Sequence, residues 1–168
     1  MSPQALEQAG AMDCAAFEAL LGGIYEHSPW VARRAWLQRP FASVDALHAV
    51  MQAVVREATH EEQLALIRAH PELLGRLDSV RLTESSRSEQ ASAGLDRCTP
   101  GQKARMQALN RAYRERFAMP FIVAVRGLDW GGIIARMEKR LTNDSATEHA
   151  EALRQIGRIA RLRLEALP

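Results

Sequence analysis

Between His70 and Leu95 the chain reads H-P-E-L-L-G-R-L-D-S-V-R-L-T-E-S-S-R-S-E-Q-A-S-A-G-L. The stretch opens on an imidazole beside a proline. It closes on Ser86, Glu89 and Gln90, whose i, i+3, i+4 spacing gathers them on one face of a helix. An imidazole, a carboxylate, an amide and a hydroxyl from two neighbouring elements are the equipment for proton transfer on a small polar molecule. The residue before a proline is pushed out of the helical region, so Pro71 fixes a backbone corner for His70. A carboxylate facing that corner would tune the proton affinity of the imidazole. Each feature has a plainer reading. A histidine at a helix end caps carbonyls and meets the dipole, and a polar helix face is most often solvated.

A second candidate comes from the final helix. At about 100° per residue, Leu153, Ile156, Ile159, Ala160, Leu164 and Leu167 sweep one broad apolar arc. Arg154, Arg158, Arg161 and Glu165 fall opposite. Arg163, seven residues after Ile156, falls inside the arc. A guanidinium there needs an anion, a structural carboxylate, or a path outward along its stem.

The elements that must position these residues are all helical. Asp13 caps a first helix bearing Phe17, Leu20 and Leu21, after a loose leader over residues 1–11. Ser28-Pro29 signals another start, and Arg39-Pro40 its end. Ser43 caps a helix with Leu47, Val50, Met51 and Val54 on one stripe. Thr59 and Glu62 form a capping box for a helix that stops at His70. Pro71 starts a short helix through Leu74, closed by Gly75. Thr83 caps the helix of Ser86, Glu89 and Gln90, which share a face with Leu82 and Ala93, and Gly94 ends it. Thr99, Pro100 and Gln102 open a helix with Met106, Leu109, Tyr113 and Phe117 aligned, ending before Pro120. Phe121 to Val125 is a short apolar run without a partner strand, read as a buried extended segment. Trp130 to Leu141 is helical. Ser145 and Glu148 form a further capping box for a helix to about Leu167. The reading is an all-α bundle of about seven to nine helices, with residues 12–168 one domain and no sheet.

Composition agrees. With 168 residues, 47% hydrophobic and 25% charged, the chain is an ordinary globular one, and aromatics make up only 5%. A net charge of +2 with no clustered lysines or arginines argues against a nucleic-acid surface. Two cysteines, Cys14 and Cys98, form no thiol pair, which suits a reducing cytosol. The N-terminus lacks signal-peptide features and no apolar run reaches membrane-spanning length, so a cytoplasmic location is expected. His27, His48, His60 and His149 are scattered without ligand spacing, so no metal site is expected. There is no nucleophile elbow and no glycine-rich phosphate loop.

With these residues in view, the chain resembles the 2-oxo-4-hydroxy-4-carboxy-5-ureidoimidazoline (OHCU) decarboxylases of urate breakdown. The resemblance rests on H-P-E-L (70–73), L-T-E-S-S-R-S-E-Q-A-S-A-G-L (82–95), L-N-R-A-Y-R-E-R-F (109–117), P-F-I-V-A-V-R (120–126) and I-A-R-L-R-L-E-A-L (159–167). It covers nearly everything after the leader, and S-x-x-E-Q-x-x-A-G-L joined to H-P-x-L is quite specific. One departure stands out: where the family usually reads F-G-F-P-F, this chain has Phe117-Ala118-Met119-Pro120-Phe121.

The resemblance implies an all-helical, often homodimeric enzyme that needs no cofactor and converts OHCU to (S)-allantoin. It makes His70 the acid–base residue and places Glu89 beside it in the chemistry. Pro71, Ser86 and Gln90 would contact substrate, as would backbone groups of Phe121, Ile122, Val123, Ala124 and Val125. Arg163 matches the family's C-terminal arginine. No nucleic acid or membrane partner is implied. Two competing readings stand beside it. One is a hydrolase of a neighbouring ureido intermediate, with His70 and Glu89 activating water. The other is a non-catalytic helical interaction module, with Arg163 and the S-x-x-E-Q face as its interface.

Overall fold

Helix starts in this chain are set mainly by short polar side chains that accept the otherwise orphaned N–H groups of a first turn. Asp13 accepts from the Ala16 N–H at 2.8 Å and opens α2 (Cys14–Leu21). Ser43 accepts from Ala46 at 3.0 Å and opens α4 (Val44–Glu57). Complete capping boxes, Thr59 with Glu62 and Thr99 with Gln102, open α5 (His60–Arg68) and α7 (Pro100–Phe117). Thr83 caps α6 (Glu84–Ser92), which a 3-10 turn over Leu95–Arg97 follows, and Asp129 caps α8 (Trp130–Arg140). The remaining helices are α1 (Pro3–Ala11), α3 (Trp30–Trp36) and α9 (Ser145–Ala166). These elements come from a computed structural model that describes residues 1–74 and 83–168. Among the described residues there are nine α-helices and no strand, the all-α class expected. None of these helices is long and apolar enough to cross a membrane.

Three local expectations are corrected. Ser28 makes no side-chain cap for α3. Pro29 already has helical angles, and the Ser28 and Pro29 carbonyls accept from Val31 and Arg33. No box of Ser145 with Glu148 opens α9. Asp144 accepts from the Thr147 N–H at 2.8 Å and from its hydroxyl at 2.9 Å, so the cap lies one residue earlier. Glu148 is thereby released to turn inward, where it is fully buried. Residues 71–74 are not helical: Leu73 and Leu74 form a turn, with Leu74 at φ +53°, where side chains take up the Leu73 carbonyl and the Leu74 N–H. The expected Gly75 stop and the place of Leu82 lie outside the described residues. Over residues 1–11, expected as a loose leader, Ser2 caps α1 and the Met1 ammonium donates to the Leu164 carbonyl at 3.0 Å.

The chain forms two compact units, Met1–Ala69 with Gly157–Pro168, and His70–Ile156. The first has a core of Phe17, Leu21, Leu47, Met51, Leu66 and Ile67, each contributing about 1.5–3 kcal/mol of apolar burial. Within it, α4 approaches the last turns of α9 closely. A Cβ on Gly157 would stand 2.5 Å from Gln52 Nε2, and a ring nitrogen of His48 bonds the Gly157 carbonyl at 2.8 Å. In the second unit the expected α7 stripe of Met106, Leu109, Tyr113 and Phe117 is buried. The Tyr113 ring packs on Phe117, with centroids 4.8 Å apart, and edge-on against Phe121 at 5.3 Å. After α7, Ala118 adopts φ +56° and turns the chain into the non-helical segment 121–125.

Candidate active site

His70 follows the end of α5, and its side chain is buried at 6% exposure. The loop it leads is held from two helices of its own unit. Asn110 on α7 donates from Nδ2 to the Leu73 carbonyl at 2.8 Å. The Leu74 N–H donates to Gln90 Oε1 on α6 at 3.3 Å. Arg114 of α7 pairs with Glu72 at the loop's surface. The loop after the His70-Pro71 corner is thus held by two directional bonds at Leu73 and Leu74, and the ring of Pro71 restricts the corner itself.

On α6 the predicted polar face is the covered one. Ser86 is buried, and Glu89, Gln90 and Ala93 are half-buried. Glu84, Ser85, Arg87, Ser88, Ala91 and Ser92 are exposed. A solvated helix side would show the opposite pattern. Gln90 spends its carbonyl oxygen on Leu74, so its NH2 end is the part suited to donate to a ligand. Gly94, at φ +72°, ends this helix as its lack of a Cβ permits.

Phe121, Ile122, Val123 and Val125 are buried and Ala124 is half-buried, without strand pairing among the described residues. Side chains replace the missing partner strand. Arg140 Nη1 donates to the Ile122 carbonyl at 2.6 Å, and the Ala124 N–H donates to Gln155 Oε1 at 3.1 Å. His70, Pro71, Ser86, Glu89, Gln90 and Phe121 to Val125 all belong to the unit His70–Ile156.

Arg163 belongs to the other unit and is buried, so of the outcomes open to a guanidinium within the apolar arc the outward path is not the one taken. Its Nη1 lies 2.7 Å from Glu26 Oε2 and 3.4 Å from the carbonyls of both Gly23 and Ile24. The structural carboxylate weighed for this arginine is therefore Glu26, itself fully buried. Glu26 escaped the sequence reading, because one acid in the turn L-G-G-I-Y-E-H-S-P carries no periodic signal. Asn110 and Gln155 could have been found. Asn110 adjoins the buried α7 stripe, and Gln155 shares a face with Ala152 and Ile159 at helical spacing.

Two further groups have shifted proton affinities. Burial, then the bond to Glu148, pushes the Tyr113 phenol up, so it remains a neutral donor. Burial likewise raises the Cys98 thiol, which makes it a poor nucleophile at neutral pH. Among the described residues, no three His, Cys, Asp or Glu side chains gather as a metal site would need.

Comparison with known proteins establishes the family. The sequence profile of the OHCU decarboxylases matches residues 10–165. This chain is a member of the OHCU decarboxylase family. A 2-oxo-4-hydroxy-4-carboxy-5-ureidoimidazoline decarboxylase of Haloferax volcanii is 45% identical over 159 residues, covering 95% of this chain and 93% of the relative. The protein of the same name from Halalkalicoccus jeotgali is 42% identical, covering 99% and 93%. Among solved structures, an (S)-allantoin synthase matches with a TM-score of 0.75 at 28% identity. That match covers 96% of this chain and 52% of the longer one. An OHCU decarboxylase crystallised in the presence of (S)-allantoin matches the fold, with a TM-score of 0.70 at 16% identity over 91% and 96% of the two chains.

Proposed function

We propose that this family member is a carboxy-lyase that converts OHCU to (S)-allantoin, with His70 as its acid–base residue. The observation that carries the reading is the bond from the Leu74 N–H to Gln90 Oε1. It ties the loop that follows the His70-Pro71 corner to the helix whose covered face bears Ser86 and Glu89.

The step breaks the bond between the ring carbon and the carboxylate carbon. The electron pair passes into the adjacent conjugated C=N of the substrate, so the substrate supplies its own sink, and carbon dioxide departs. The protein must turn the carboxylate out of the ring plane, stabilise developing charge and protonate one face. In this reading Arg163 grips an anionic substrate group, and Glu26 sets the direction of the guanidinium. A guanidinium carries enough N–H donors in a rigid fork to serve both. Glu89 accepts from the hydroxyl or a ring N–H, while Ser86, Gln90, Pro71 and the backbone of 121–125 locate the ring and ureido groups. His70 delivers the proton that sets handedness.

The test generates OHCU in situ from urate and follows chiral allantoin by circular dichroism. His70→Asn should slow enantiopure product formation by about 10²–10⁴-fold. An unchanged rate and handedness would overturn the role of His70. The same reading carries a cytoplasmic homodimer, and a single-protomer mass in sedimentation equilibrium would remove the dimer.

A further inference from the structure

The segment 121–125 crosses a buried region without a partner strand among the described residues, so other groups must satisfy its backbone. Two side chains do this, at residues two apart. Arg140 serves the Ile122 carbonyl and Gln155 the Ala124 N–H. The Arg140 guanidinium also lies over the Phe121 ring, 4.6 Å from its centroid. Both side chains are buried, at 8% and 2% exposure.

Each is itself held. Glu148 accepts from Arg140 Nε at 2.9 Å and from Arg140 Nη2, and it also takes the Tyr113 hydroxyl and Asn143 Nδ2, the latter at 2.8 Å. Gln155 donates from Nε2 to Glu151 Oε1 at 2.7 Å, and Arg154 fixes Glu151 in turn. Glu148, Ala152, Gln155 and Ile159 fall at i, i+4, i+7 and i+11 of α9, so one helix face delivers both the anchor and the acceptor.

A buried ion pair is a costly way to pack helices, since an apolar pair of similar volume is often as stable or more so. An apolar pair could not offer a directed donor and a directed acceptor to a lone extended segment. We propose that Arg140 and Gln155, anchored through Glu148 and Glu151, are positioning residues that hold the backbone of 121–125 in the one register able to meet substrate. The proposal rests on the decarboxylase reading of that segment.

Gln155→Met keeps the length and volume of the side chain and removes both the acceptor for Ala124 and the donor to Glu151. Arg140→Lys keeps the charge for Glu148 but cannot fork to Ile122 as well. In the coupled urate assay, each variant should raise KM for OHCU by about tenfold, with kcat within about twofold of the parent. The enantiomeric purity of the allantoin should fall. Amide hydrogen exchange at Ala124 should accelerate in Gln155→Met, while the unfolding transition remains cooperative. Faster exchange with unchanged KM and handedness would mark the contacts as purely structural and overturn the proposal. A parent protein that does not accelerate allantoin formation would overturn the decarboxylase reading itself. An active parent with unaltered variants overturns the positioning role alone.

Discussion

Ala118 sits at φ +56°, ψ 26°, immediately after the last turn of α7. A Cβ in this left-handed region crowds the following carbonyl, at a cost of about 1–2 kcal/mol relative to glycine. The position is also where the chain departs from the glycine usual in its family. The tertiary structure imposes the conformation, because Pro120 forbids a continued helix and the chain must turn into 121–125. Ala118→Gly should therefore stabilise the protein by about 1 kcal/mol, since the relief outweighs glycine's greater unfolded-state entropy. At this chain length that is a rise of about 2–4 °C in Tm, measured by calorimetry. A Tm that falls would mean that this left-handed turn costs nothing here.

Element boundaries offer two sharper checks. Asp144, not Ser145, caps α9, so Asp144→Ala should cost about 1 kcal/mol in urea unfolding while Ser145→Ala stays within about 0.5 kcal/mol. The reverse ranking would restore the sequence-based boundary. At the start of α5, the hydrogen bond from Arg34 and then the Thr59 N–H hold Glu62 down to about 2, from an ordinary 4.5. A lowered folded-state value means that the charged form is favoured by folding. Its stabilisation is present above pH 4.5 and is lost as pH falls from there towards 2. Gln102 already closes a capping box in this chain, so Glu62→Gln should keep the cap and lose only the ionic part. Stability of that variant should fall less steeply across the same window. Equal slopes in parent and variant would locate the acid sensitivity elsewhere.

For the molecule as a whole, the buried pair of Glu26 and Arg163 joins the turn before α3 to the end of α9, from opposite ends of the sequence. Removing one partner strands a charge in the interior, so Glu26→Ala should destabilise by about 3–5 kcal/mol. Glu26→Ala combined with Arg163→Met should recover much of that loss, as a double-mutant cycle in urea would show. Additive losses would mean that the two side chains do not interact. The all-helical class was legible because caps and apolar spacing are local: Thr59, Thr83, Thr99 and Asp13 stand next to the N–H groups they satisfy. The grouping of Ser86, Glu89 and Gln90 on one face of α6 and the anomaly of Arg163 followed from the period of the helix, the covering of that face did not, and the motifs were enough to place the chain in its family. Sequence could not say that Glu26 answers Arg163, that Glu148 turns inward to hold Arg140, or that Leu73 and Leu74 form a turn gripped by Asn110 and Gln90. Those outcomes depend on which distant groups arrive to satisfy a buried charge or an unpaired carbonyl, and only packing in three dimensions decides that.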